Sequence, residues 1–157
     1  MIDWTRRQLL GGASAAAVTL LAGGAAVAAG PARPAMTMYR SPGCGCCLKW
    51  AEIAKAAGYR VNVVSTQDIM AVKARLGVPD SLASCHTTRV GNYVVEGHVP
   101  LAAVARLLRD RPRGVAGIAV PGMPAGSPGM EVPGQQAGVP VEVFAFAAGG
   151  ASKAFAF

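Results

Sequence analysis

The chain has 157 residues, 15% of them charged, with a formal net charge of +7. That length suggests one domain. The positive balance does not imply nucleic acid: Arg33, Arg40, Lys49, Lys55, Arg60, Lys73, Arg75 and Arg89 are scattered, and only Arg106, Arg109, Arg111 and Arg113 cluster, as the solvated face and end of a helix suited to cations.

The first segment reads as a targeting signal, not as structure. TRRQLLGGASAAAVTLLAGGAAVAAG opens with Arg6-Arg7 and runs through an uncharged Ala/Gly/Leu stretch to Ala26-Val27-Ala28. That is the layout of an export signal. The arginine pair followed by Gln8, Leu9 and Leu10 predicts a twin-arginine signal. Weak hydrophobicity and the small-residue end argue against a single membrane anchor. Residues 1–28 are therefore expected to be a signal peptide and 29–35 a short linker. Cleavage after Ala28 leaves 129 of the 157 residues, enough for one modest core. It removes Arg6, Arg7 and Asp3, so the charge falls from +7 to +6. The expected compartment is the periplasm, with no stable membrane anchor once the signal is gone.

Residues 36–157 are expected to form the functional domain. AMTMYRS is short and extended, and Pro42-Gly43 ends it. CCLKWAEIAKAAG reads as a helix, with Trp50, Ala54 and Ala57 on one face, Lys49, Glu52 and Lys55 on another, and Gly58 as its stop. YRVNVVS alternates like a strand. TQDIMAVKARLG predicts a second helix, capped by Thr66, with Ile69, Val72 and Leu76 inward and Met70 in the core. TTRV and YVVE flank Gly91-Asn92, a two-residue hairpin signal. PLAAVARLLRD predicts a third helix whose apolar stripe is Leu101, Val104, Ala105 and Leu108. The order is β-α-β, a further helix, then β-β-α. That is the arrangement of an α/β thioredoxin-like fold, whose redox pairs and ligands sit where strand one meets helix one.

The segment from Pro112 to Pro140 holds six prolines and seven glycines. It excludes a long helix and a regular central strand. VEVFAFA after it looks like a final strand, so the segment is read as an ordered Pro/Gly-rich flap rather than a linker.

The chemistry lies in the thiols. SPGCGCC puts Cys44, Cys46 and Cys47 within four positions, and Cys85 follows in SCHT. Cys44 and Cys47 are spaced C-x-x-C at a helix N-terminus, where free N–H groups and the helix dipole favour thiolate. Thiolate serves both a redox enzyme and a metal site. Cys46 partly separates the two, because a dithiol catalyst needs only two sulfurs. A crowd of soft thiolates suits Cu(I) or Zn, and zinc more often uses paired, separated knuckles. Sulfurs this close can bridge several monovalent copper ions. Disulfides stay open as a resting state in an oxidising compartment.

Other soft donors sit nearby in sequence. Met123 and Met130 each occupy a Pro-Gly loop where periodicity does not require an apolar residue. They are candidate thioether ligands, or pins that hold the flap to the core. His86 adjoins Cys85, and His98 follows the hairpin in EGHVP; both are candidate metal ligands. The scattered carboxylates give hydrolysis little support, and no catalytic residue is assigned.

YRSPGCGCCLKWAEIAKAAGY, GVPDSLASCHTTRVGNYVVEGHVP and GIAVPGMPAGSPGMEVPG together closely resemble the CopG-type periplasmic copper-resistance proteins. The similarity runs from about Met36 to Phe146. It implies a thioredoxin-like fold and copper bound through Cys44, Cys46, Cys47 and Cys85. Copper sequestration, transfer to other periplasmic copper-handling proteins, and thiol-linked copper redox chemistry all fit these residues. The residues favour a metal-binding protein that carries Cu(I), with several ions per chain in view, over a thiol-disulfide oxidoreductase using Cys44 and Cys47.

Overall fold

The computed structural model describes residues 33–131 and 140–157. The expected signal peptide and part of the linker lie outside the described residues, as do residues 132–139 of the Pro/Gly-rich segment. The elements are β1 (Met36–Arg40), α1 (Gly45–Ala56), β2 (Val61–Ser65), α2 (Ile69–Arg75), a 3-10 turn (Asp80–Leu82), β3 (His86–Val90), β4 (Tyr93–Glu96), α3 (Leu101–Asp110), β5 (Gly117–Ala119), β6 (Phe144–Phe146) and β7 (Ser152–Ala154). Among the described residues the strands form one sheet in the order β2-β1-β3-β4-β5-β6-β7. β1 runs parallel to β2 and antiparallel to β3, and β4 runs parallel to β5.

Period-two patterning sorts side chains to the two faces. On β1, Met36 and Met38 are buried while Thr37 and Tyr39 are half-buried. They join Trp50, Ala51 and Ala54 of α1, Val104 and Leu107 of α3, and Val95 of β4 in the main core. The next residue back on β4, Val94, packs instead with Val78, Leu82 and Phe146. α1 and α3 therefore cover one face, and the segment from α2 through the 3-10 turn covers the other.

Several expectations are corrected. The second helix starts at Ile69, with Asp68 as its cap accepting the Ala71 N–H at 2.8 Å; Thr66 bonds only the Asp68 N–H, at 3.2 Å. Met70 is 53% exposed, because on so short a helix Val72 takes the inward position. On α3 the buried leucine is Leu107, with Leu108 half-buried. The Pro/Gly-rich segment does hold a central strand. Three residues, Gly117–Ala119, are inserted between β4 and β6. Gly117 permits this, because a Cβ there would collide with the Val94 carbonyl and the Phe146 ring.

Candidate metal centre

β1 delivers the chain directly into the thiol loop. The Cys44 N–H bonds the Ser41 carbonyl at 3.1 Å, closing a turn after the strand. Arg40 clasps that turn: its Nη1 donates to the carbonyls of Ser41 at 2.9 Å, Pro42 at 2.8 Å and Cys44 at 3.3 Å. Cys44 is the N-cap of α1 and makes no side-chain cap bond. Its sulfur, with those of Cys46 and Cys47, thus stands at the helix end where backbone N–H groups lack intrahelical partners and the dipole is positive.

Cys85 arrives through strand register. In the β1–β3 ladder Arg40 pairs with His86. The residue before His86 therefore lies beside the exit of β1. The sulfurs of Cys44, Cys46, Cys47 and Cys85 all lie within 4.8 Å of one another. Cys44 and Cys47 are joined as a disulfide, with Cα atoms 5.5 Å apart, while Cys46 and Cys85 are free. The Cys46 sulfur sits 3.6 Å from that of Cys44, and the Cys47 sulfur 3.7 Å from the Cys85 carbonyl oxygen.

A second donor group shares Cys85. Its sulfur is 3.3 Å from Nδ1 of His86 and 3.0 Å from Nε2 of His98. The two rings meet edge to face with centroids 4.9 Å apart. His98 Nδ1 is 2.7 Å from the Pro128 carbonyl. A carbonyl only accepts, so Nδ1 carries the proton and Nε2 presents a bare lone pair to the sulfur. The His86 Nε2 is buried without a hydrogen-bond partner among the described residues. Trp50 backs the pair, 5.1 Å from the His86 centroid, and is fixed by its own Nε1–H bond to the Val99 carbonyl at 2.9 Å.

The electrostatics suit a neutral resting site. Burial pushes the Cys85 thiol up to about 12, and the nearby Cys46 adds to the effect. Burial pushes His86 down to about 3, helped by His98 and Lys73, and it lowers His98 as well. The Cys85 thiol gives up its proton when a soft cation takes its sulfur, whereas the neutral imidazoles bind with no proton to lose. No carboxylate among the described residues joins either donor group. Sulfur and imidazole donors fit Cu(I) or Zn and do not fit hard cations such as Mg or Ca.

Of the predicted thioethers, Met123 is 55% exposed and Met130 is half-buried. Met130 closes a turn, its N–H bonding the Ser127 carbonyl at 2.8 Å. The neighbouring Gly129 packs on the first turns of α1. A Cβ there would reach within 3.0 Å of the Trp50 backbone nitrogen, and its φ of +84° suits glycine. The residues that sequence reasoning misses are those whose hydrogen bonds surround the site: Arg40, Trp50, Lys73, Thr87 and Glu96. Burial pushes the Glu96 carboxyl up, while the Lys73 ammonium beside it, 2.5 Å away, pulls in the other direction.

A mixed α/β sheet that gathers four sulfurs and two imidazoles at the end of its first strand defines a protein with a thiol-rich centre able to hold a soft metal. The family described as "Protein of unknown function, DUF411" matches residues 82–130. Two solved structures are similar over most of the chain. "Copper resistance protein copG- Form 1" is 39% identical with a TM-score of 0.70, covering 78% of this chain and 94% of that one. "Copper resistance protein copG- Form 2" is 39% identical with a TM-score of 0.71, covering 78% and 95%. No curated protein matches the chain. The chain belongs to the CopG copper-resistance family.

Proposed function

We propose that this is an exported, periplasmic copper-binding protein of copper resistance or homeostasis, with Cu(I) as its cargo. The observation that carries the reading is the convergence of Cys44, Cys46, Cys47 and Cys85 within 4.8 Å at the N-terminus of α1. Such crowding allows shared sulfurs to bridge more than one ion. His86 and His98 extend the donor set through Cys85, and Met123 and Met130 are candidates for an outer thioether role. The ligand form is the fully reduced one, so the Cys44–Cys47 disulfide must be opened by a thiol reductant before all four sulfurs can bind.

The architecture is read as thioredoxin-like. The parallel β1-α1-β2 unit and the antiparallel β3-β4 pair leading into α3 support it. The Pro/Gly-rich segment is read as a flap, supported by the seating of Gly129 on α1. A general thiol-disulfide oxidoreductase is not favoured, because Cys46 and Cys85 crowd the Cys44–Cys47 pair with two further sulfurs. Among the described residues no helix is long and apolar enough to cross a membrane.

The test is loading of the reduced mature protein with Cu(I) under anoxic conditions, with metal per chain read by elemental analysis. The wild type should bind at least one ion per chain, and Cys46→Ser should bind less. Full loading of Cys46→Ser would sink the cluster.

A further inference from the structure

We propose that Glu96, held in the core by Lys73, is a positioning residue that fixes where Cys85 presents its sulfur; the inference rests on the copper reading above. The side chains of Lys73 and Glu96 are 3% and 0% exposed. A buried ion pair is weak evidence for stability, since the cost of desolvating both ions often cancels their attraction. Neither residue belongs to either donor group. Their geometry shows a different use.

One carboxylate holds both flanks of Cys85-His86. Glu96 Oε1 accepts the Ser84 N–H at 2.6 Å and Lys73 Nζ at 2.5 Å. Its Oε2 accepts the Thr87 hydroxyl at 2.6 Å, and Lys73 also donates to Thr87 Oγ1 at 3.0 Å. Ser84 and Thr87 bracket the two residues that carry the sulfur and the first imidazole. The adjacent Gly97 completes the clamp. Its N–H bonds the His86 carbonyl at 2.9 Å, and a Cβ on it would collide with the Ser84 side chain. On the other side the Ser84 hydroxyl bonds the Gly122 carbonyl. With the backbone of residues 84–87 held from both ends, the Cys85 Cβ is held in place, and its sulfur stands between the thiol group and His98.

Two double variants separate positioning from bulk stability. Lys73→Met with Glu96→Leu removes both charges together, so no ion is left unpaired, and it also removes the acceptor for Ser84. Lys73→Met with Glu96→Gln removes both charges and keeps an amide oxygen as acceptor. In reduced, metal-free protein, alkylation of Cys85 by iodoacetamide is measured against that of Cys46 in the same molecule by peptide mass mapping. Cu(I) affinity is measured by competition with a chromophoric chelator. The Met/Leu variant should label Cys85 about tenfold faster relative to Cys46 and lose about tenfold or more in Cu(I) affinity, as loss of support behind a ligand does. The Met/Gln variant should stay near wild type in both. A wild-type labelling ratio and affinity in Met/Leu would overturn the proposal. Should Met/Leu not fold, Thr87→Val and Thr87→Ser decide it: a faster Cys85 ratio in Thr87→Val, which loses the hydroxyl that Glu96 accepts, with a wild-type ratio in Thr87→Ser, which keeps it, supports the clamp, and any other pattern overturns it. If the wild type binds no Cu(I), the copper reading falls, while the labelling ratio still decides the clamp.

Discussion

The Nε2 of His98 lies 3.0 Å from the sulfur of Cys85, a residue 13 positions earlier in the chain. The Pro128 carbonyl holds the other nitrogen of the ring, so the tautomer facing the sulfur is fixed from the loop side. This is the arrangement in which an orienting partner raises the donor strength of an imidazole. His98→Gln retains an amide donor for Pro128 but offers no ring nitrogen to Cys85. On Cu(I)-loaded protein, copper X-ray absorption should show weaker imidazole scattering in His98→Gln than in wild type, with sulfur scattering retained. Unchanged spectra in both His98→Gln and His86→Gln would exclude the two rings as ligands.

Trp50 supports the centre from below. It is fully buried, and Phe can replace its ring but not its N–H. Trp50→Phe strands the Val99 carbonyl that the indole now satisfies at 2.9 Å. The expected loss is roughly 1–3 kcal/mol, the cost of an unsatisfied buried polar group. Urea unfolding of the metal-free protein measures it, and a change within error would mean that water reaches Val99.

Stability of the metal-free protein should fall with pH through His86. Its folded value, about 3, lies below the ordinary histidine value of 6.5, so the unfolded chain takes up the proton first. The contribution of the neutral, buried ring is complete above pH 6.5 and is lost progressively toward pH 3. His86→Gln should flatten the stability profile across that window. A variant profile as steep as wild type would assign the acid sensitivity to another group.

Export should depend on the arginine pair. Arg6→Lys with Arg7→Lys is expected to leave the protein in the cytoplasm, read by fractionation and immunoblot. Undiminished periplasmic delivery of that double variant would count against a twin-arginine route.

The first four strands and the helices are legible in the sequence because most carry a periodic apolar pattern, and a glycine or proline closes every one of them except β2. β5 is not, since three residues between Gly114 and Pro121 are too few to show a period. β7 is exposed at every position, so burial imposes no alternation on it. The clustering of Cys44, Cys46 and Cys47 is visible in the spacing alone. The approach of Cys85 is partly visible, but the register that pairs Arg40 with His86 is a property of the assembled sheet. Lys73 and Glu96 illustrate the limit. A lysine late in a short amphipathic helix and a glutamate ending a strand read as solvated charges. Only the packing of α2 against β1 and β3, which brings Lys73 to Glu96 at the end of β4, makes them partners.

Cys85 follows Cys47 by 38 positions, across β2, α2 and the 3-10 turn. An unfolded chain therefore has no local motif joining all four sulfurs. An ion held by all four is held by the folded state alone, and its binding free energy adds to the free energy of unfolding. The same linkage sets a lower bound on release. Whenever β3 parts from β1, Cys85 leaves the other sulfurs, so the frequency of that local opening, accessible by hydrogen exchange at the paired strand amides, is the slowest rate at which the four-sulfur seat can come apart.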